Sequence, residues 1–301
     1  MPPTKEIVIF GYGYLGTQLA QHFSQLGFYV TVFTKRKIVS ETQHNISFIK
    51  YSSLLDAFQY NWRGVKFVFY VSGRVDHSDF KILSSSFFDE HFLSVTQLVD
   101  SGCLDHIEGF IYLGSSDEYG VSINPMAYRE EALANPQTSY ALAKQLSTQY
   151  LLQKYRSSNF PCIVLRPFLI YGPGQYSNRF VGKMVASFQK GKKFEIQNPL
   201  FHRDFLFLED FLNFCSLIVA DFALGSGKVF NVSSNHPVSL KTVGQLFNAL
   251  VKTDTSVWSG QATDEKQNYL FGSNERAFQH FGWKPTTSLE NGLSLCLKFI
   301  A

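Results

Sequence analysis

The chain has 301 residues, and its 27 Lys and Arg against 24 Asp and Glu leave a formal net charge of only +3. A balance this even excludes the strong positive field of a nucleic-acid-binding surface. An apolar content of 45%, with no run near the ~20 apolar residues that a membrane helix needs, fits a globular protein and argues against a membrane partner.

The predicted elements begin at once. An apolar strand over 7–10 runs into a glycine turn and a helix over 16–26, followed by strands at 30–33 and 67–71. A helix is predicted through 87–99, a strand over 109–113, a helix over 139–156 and a strand over 162–165. Buried runs separated by helices are the pattern of βαβ units, so the fold class is α/β with a doubly wound parallel sheet. Beyond 172 the texture changes to Gly/Pro turns, a helix near 180–189, short strands near 194–196 and 229–232 and a terminal helix near 289–299. The expected organisation is a dinucleotide-binding domain over 1–172, with later strand contributions from about 203–233, and a mainly substrate-binding C-terminal lobe over 173–301. The opening stretch lacks a signal-peptide core, and Cys103, Cys162, Cys215 and Cys296 have neither CxxC nor Cys/His metal spacing. A cytoplasmic protein with reduced thiols and no metal is therefore expected.

The first strand ends in Gly11-Tyr-Gly13-Tyr14-Leu15-Gly16. Gly11 permits the tight turn, Gly13 lets the backbone approach a pyrophosphate, and Gly16 allows close helix–strand packing. The helix start at Tyr14 and Leu15 contributes oriented N–H groups and positive potential. The second strand ends at Thr34, where an NAD-binding chain commonly carries an acid for the ribose hydroxyls. Thr34 removes the anion that would repel a 2′-phosphate, and Lys35-Arg36-Lys37 supplies cations that could hold one, with Arg36 the first choice. NADP(H) is favoured, NAD(H) is the alternative, and a merely solvated basic run is the competing account of these charges.

Ser115 and Ser116 follow a buried strand, and Tyr140 and Lys144 lie four apart, on one helix face. An ammonium so placed lowers the pKa of a phenol, which can then exchange a proton with a carbonyl or alcohol. Tyr140 is the expected proton donor, Ser115 the hydrogen-bonding partner of the reacting oxygen, and Lys144 the group that tunes the phenol and binds the nicotinamide ribose. Asp117 and Glu118 read as a plain polar turn.

These motifs, together with Arg166-Pro-Phe-Leu-Ile-Tyr-Gly-Pro173, Arg203-Asp-Phe-Leu-Phe-Leu-Glu-Asp210, Phe230-Asn-Val and Phe281-Gly-Trp-Lys-Pro285, resemble an extended short-chain dehydrogenase/reductase of the NAD-dependent epimerase/dehydratase family. The resemblance covers nearly the whole chain and implies a Rossmann sheet, a nucleotide-sugar substrate and a homodimer paired through the helix at 87–99 and the Tyr140 helix. It further implies that Arg203 binds the substrate diphosphate, with Asn178 and Arg179 as further candidates, and that Pro167 packs by the nicotinamide. A salt bridge from Arg203 to Asp204 or Asp210 is the competing reading. His91 and Leu169 stand where the family often has Asn, and His91 reads as a packing or hydrogen-bonding replacement. Ser116-Asp117 stands where dehydratases carry an Asp-Glu pair, which disfavours elimination of water. The expected reaction is NADPH-dependent reduction of a 4-keto nucleotide sugar. An NAD(P)-dependent epimerase is the alternative, and a non-catalytic NADP-binding regulatory protein the alternative of another class.

Overall fold

The computed structural model describes residues 5–36, 45–75, 85–252, 257–259 and 267–299. Strands β1 (Glu6–Phe10), β2 (Tyr29–Thr34), β3 (Ile46–Lys50), β4 (Val65–Tyr70), β5 (Gly109–Leu113) and β6 (Cys162–Pro167) form a sheet in the order β6-β5-β4-β1-β2-β3, and Lys228–Val232 continues it beyond β6. The pairings β3–β2, β2–β1, β1–β4, β4–β5 and β5–β6 are all parallel. This is the doubly wound Rossmann order, which reverses direction between β1 and β4.

Val, Ile and Phe dominate these strands because both faces are covered: β1 is buried along its whole length. The core on one face is rich in rings. Phe10 stacks on Phe33 with centroids 4.8 Å apart, and Tyr70 and Trp62 lie against Phe10 at 5.6 and 6.3 Å. Burying such rings contributes on the order of 2–3 kcal/mol each. Because the strands are parallel, the turns after β1, β2, β4 and β5 all emerge at one edge of the sheet, which brings Gly11, Thr34, Gly73 and Ser115 to that edge.

The chain divides into two compact units. One is built from the described residues within 1–120, 133–166 and 215–230, the other from those within 121–132, 167–214 and 231–301. In the second, Phe201–Phe207 pairs with Leu169–Tyr171, Pro237–Ser239 and Asn268–Leu270 in a four-stranded sheet, so the Arg203 segment is a strand of this smaller sheet. Its core gathers Tyr171, Met184, Phe205, Phe207, Phe247 and Leu293.

The helix predicted through 87–99 is interrupted. Helical turns at Ser85–Phe88 and Ser94–Asp100 flank a π turn over Asp89–Leu93. The carbonyl of His91 accepts from Ser147 Oγ and from Tyr112 OH at 3.4 Å, and this side-chain competition for the helical ladder accommodates the extra residue. Among the described residues no helix is long and apolar enough to cross a membrane.

Candidate active site

The glycine turn fits a dinucleotide pyrophosphate on its own geometry. Gly11 has φ +109, and a Cβ there would lie 2.8 Å from the backbone of Ser72. A Cβ on Gly16 would fall 1.9 Å from the Gly11 carbonyl oxygen, so only glycine lets helix α1 (Tyr14–Gln25) begin this close to β1. Around Gly13 the space is open, with no atom within 4 Å of a Cβ, which leaves room for a ligand against the backbone. The intrahelical ladder starts with Thr17 N donating to Gly13 O at 2.9 Å. The N–H groups of Tyr14, Leu15 and Gly16 come before it, and no acidic side chain sits in the first turn to compete for an anion.

Thr34 is buried, and its Oγ1 accepts from the Arg36 N–H at 3.0 Å, which turns the chain sharply after β2. That turn returns the Arg36 side chain to the glycine loop, where Nη1 donates to Tyr12 O at 3.3 Å. Lys35 takes another direction, its Nζ lying 5.6 Å from the Tyr51 ring centroid. Arg36 is thus the cation beside the turn, while Lys37 lies outside the described residues.

Ser115 caps a short 3-10 turn, Ser116–Tyr119, with its Oγ accepting from the Asp117 N–H at 3.1 Å. Thr138 caps the helix Ser139–Ser158 by accepting from Ala141 N at 3.1 Å, which fixes Tyr140 and Lys144 on its first two turns. Both side chains are buried. Lys144 Nζ donates to the Leu113 carbonyl at 2.6 Å, at the end of β5, and lies 6.0 Å from the Tyr140 ring centroid and 4.8 Å from that of Tyr112. Burial pulls the Lys144 ammonium down to about 7, only partly offset by the Glu118 carboxylate. An amine poised there is half charged near neutral pH, and hydroxyl acceptors or nearby anions would favour its charged form.

Glu118 is not the plain turn residue its sequence context suggests. Its side chain is fully buried; Oε2 accepts from Arg166 Nε and Nη2, both at 2.9 Å, and Oε1 accepts from the Ser115 N–H at 2.9 Å. The buried pair therefore fixes the backbone that carries Ser115. A Cβ on Gly114 would come within 2.5 Å of Glu118 Oε1, so the glycine is part of the same arrangement. The legible signal is Ser115-x-x-Glu118, a capping-box spacing, with Arg166 ending a buried strand.

His91 is completely buried beside Tyr140, its ring edge-on at 5.1 Å between centroids. Its Nε2–H donates to Arg74 O at 2.8 Å, while Nδ1 has no partner among the described residues. Desolvation, aided by the Lys144 charge, lowers its pKa to about 3 and keeps the ring neutral.

The remaining expected residues lie in the second unit. Arg203 Nη1 donates to Asn268 Oδ1 at 2.8 Å and to the His202 carbonyl at 2.8 Å, and its guanidinium covers the Phe201 ring at 5.1 Å. The two acids of the competing salt-bridge reading are occupied locally. Asp204 accepts from Ser234 and Asn235, and Asp210 from Thr286 and Thr287. Asn178 is exposed, Arg179 precedes the helix Phe180–Gln189, and Pro167 ends β6.

A glycine turn at the switch point of a doubly wound sheet, with a buried Ser, Tyr and Lys at the same strand edge, defines the extended short-chain dehydrogenase/reductase class. The family model for the NAD dependent epimerase/dehydratase family matches residues 7–233, and the chain belongs to that family. It is 24% identical to the mouse dTDP-D-glucose 4,6-dehydratase over 204 residues, 65% of this chain and 56% of that one. It is 25% identical to the GDP-6-deoxy-D-mannose reductase of Pseudomonas aeruginosa over 197 residues, 62% of this chain and 64% of the relative. The matched segments thus span less than two thirds of these relatives. Among solved structures, MoeE5 in complex with UDP-glucuronic acid and NAD superposes with a TM-score of 0.85 at 20% identity, covering 98% of each chain.

Proposed function

We propose that the protein is an NADPH-dependent reductase of a 4-keto nucleotide sugar, with Tyr140 as proton donor. The observation that carries this reading is the contact of Arg36 with the glycine turn, beside a Thr34 that leaves no carboxylate for ribose hydroxyls. A guanidinium there suits a 2′-phosphate. NADPH is the form suited to net reduction, whereas an epimerase returns its hydride within each turnover and commonly retains NAD. MoeE5 was solved with NAD, so the cofactor preference proposed here rests on this chain's own residues. Reductases among the relatives support the reaction class, and a dehydratase fits less well because Ser116-Asp117 stands where dehydratases carry an Asp-Glu pair.

Held by the Gly11–Gly16 turn and Arg36, NADPH would supply the hydride for the carbonyl carbon of the keto-sugar. Ser115 Oγ orients the carbonyl oxygen, Tyr140 gives that oxygen its phenolic proton, and Lys144 stabilises the phenolate until solvent restores the proton. Arg203, Asn178 and Arg179 hold the diphosphate and nucleoside, and Pro167 packs by the nicotinamide. On this reading, 1–172 serves mainly the cofactor and 173–301 mainly the substrate. The enzyme is cytoplasmic and forms a homodimer through the helices around 87–99 and Tyr140.

Following NADPH absorbance with a panel of 4-keto-6-deoxy nucleotide sugars tests the reading. Net oxidation supports the reductase, inversion without net oxidation the epimerase, and binding without turnover the regulatory protein.

A further inference from the structure

One buried group in the unit that carries Tyr140 has no part in the proposed proton transfer. His91 sits inside the π turn with its Nδ1 unpartnered among the described residues, although leaving a buried acceptor unsatisfied is unfavourable. The packing closes on its ring from several sides. On one side lies Gly73, whose φ is +111; a Cβ there would fall 2.0 Å from His91 Cε1 and 2.5 Å from Nδ1. On another side is the Tyr140 ring, met edge-on, while Phe87 lies nearly parallel to the imidazole, 8° between planes at 6.3 Å. The bond from Nε2–H to the Arg74 carbonyl fixes the ring's rotation, and the Ser147 and Tyr112 hydroxyls hold its backbone carbonyl. The ring is therefore pinned at both its backbone and its far nitrogen, and Tyr140 rests on what is left of its edge.

We propose that Gly73 and His91 form a matched pair that positions Tyr140, the missing Cβ of one making room for the imidazole of the other, which in turn walls in the phenol-bearing ring beside Lys144. His91 is a positioning residue, since its edge touches the Tyr140 ring and no reacting atom. This deepens the reductase reading, because it takes Tyr140 as the proton donor of that reaction. A neutral wall suits this place. It covers one side of the Tyr140 ring, on the helix that also carries Lys144.

The test needs no turnover. Incorporation of ¹³Cζ-tyrosine, with the Tyr140 signal assigned by its loss in Tyr140→Phe, gives the ionisation midpoint of that phenol directly. His91→Ala is expected to move the midpoint by about one pH unit or more, because water then reaches that side of the ring. His91→Gln, whose amide can still reach the Arg74 carbonyl, is expected to restore most of the wild-type value. An unchanged Tyr140 midpoint in folded His91→Ala overturns the proposal. Should that variant fail to fold, Gly73→Ala presses on the same ring from the other side, and an unmoved midpoint there overturns it equally. If the midpoints move as expected while no keto-sugar nucleotide oxidises NADPH, the reductase reading falls and the positioning pair stands; turnover with no movement gives the converse.

Discussion

Replacing Lys144 by Met should make the protein more stable while disabling it. Burial lowers the ammonium from its usual 10.5 to about 7. A drop of about 3.5 units, at about 1.4 kcal/mol per unit, puts about 5 kcal/mol on the charged folded form at low pH and about 4 at pH 7, where the site is half charged. Methionine fills nearly the same volume without that charge, but it leaves the Leu113 carbonyl without its 2.6 Å donor, a loss of about 2 kcal/mol. The net gain at pH 7 is about 2 kcal/mol, or about 3 °C in thermal midpoint for a chain of this length. The pH dependence has a fixed sign. Unfolded lysine keeps its proton up to about 10.5 whereas the folded one releases it near 7, so between these values the unfolded chain binds more protons and wild type gains stability relative to the variant as pH rises. The variant should lead below pH 7, draw level near about pH 9 and fall behind above that. Paired thermal melts of the two proteins, without cofactor, from pH 6 to 10 measure this difference directly. A variant less stable than wild type at pH 6–7 would refute the reasoning, because the lysine would then not be strained by burial.

Tyr140→Phe keeps the ring against His91 and removes the proton, so turnover should fall about 10²–10⁴-fold with NADPH affinity near wild type, as read by steady-state kinetics and fluorescence titration. Ser115→Ala should lower turnover in the same assay with little change in cofactor binding. Arg36→Ala should weaken NADPH binding about 10- to 100-fold and leave NADH affinity nearly unchanged in parallel titrations, and equal affinity of wild type for both cofactors would sink the assignment. Glu118→Gln leaves the buried Arg166 uncompensated and should cost about 3–5 kcal/mol in denaturant melts, with a loss below 1 kcal/mol counting against the pair.

The sheet was legible because its strands are buried on both faces and read as continuous apolar runs such as Ile7-Val-Ile-Phe10. The glycine turn was legible too, since its spacing encodes steric demands that the Gly11 and Gly16 positions make explicit. Strand β3, mixed in polarity and half-buried at the sheet edge, gave no such run and went unpredicted. The strand Phe201–Phe207 was legible only as the start of the contributions expected from about 203–233, because charged Arg203 and Asp204 break the pattern although Asp204 is buried. The π turn depends on Ser147 and Tyr112, which reach the His91 carbonyl from 56 and 21 residues away, and local periodicity carries no trace of that. Glu118 was misread for a related reason: in its own segment it is a turn acid, and only Arg166, 48 residues on, makes it a buried one.

The central claim is that a hydride leaves NADPH and stays on the sugar. NADPH carrying deuterium at the transferred position of the nicotinamide, incubated with a 4-keto-6-deoxy nucleotide sugar and wild-type protein, should yield a product sugar with one deuterium on C4 by mass spectrometry and NADP⁺ in equal amount. Tyr140→Phe should slow the appearance of that label about 10²–10⁴-fold. A sugar product inverted at C4 but free of deuterium, with NADPH undiminished, would contradict the account.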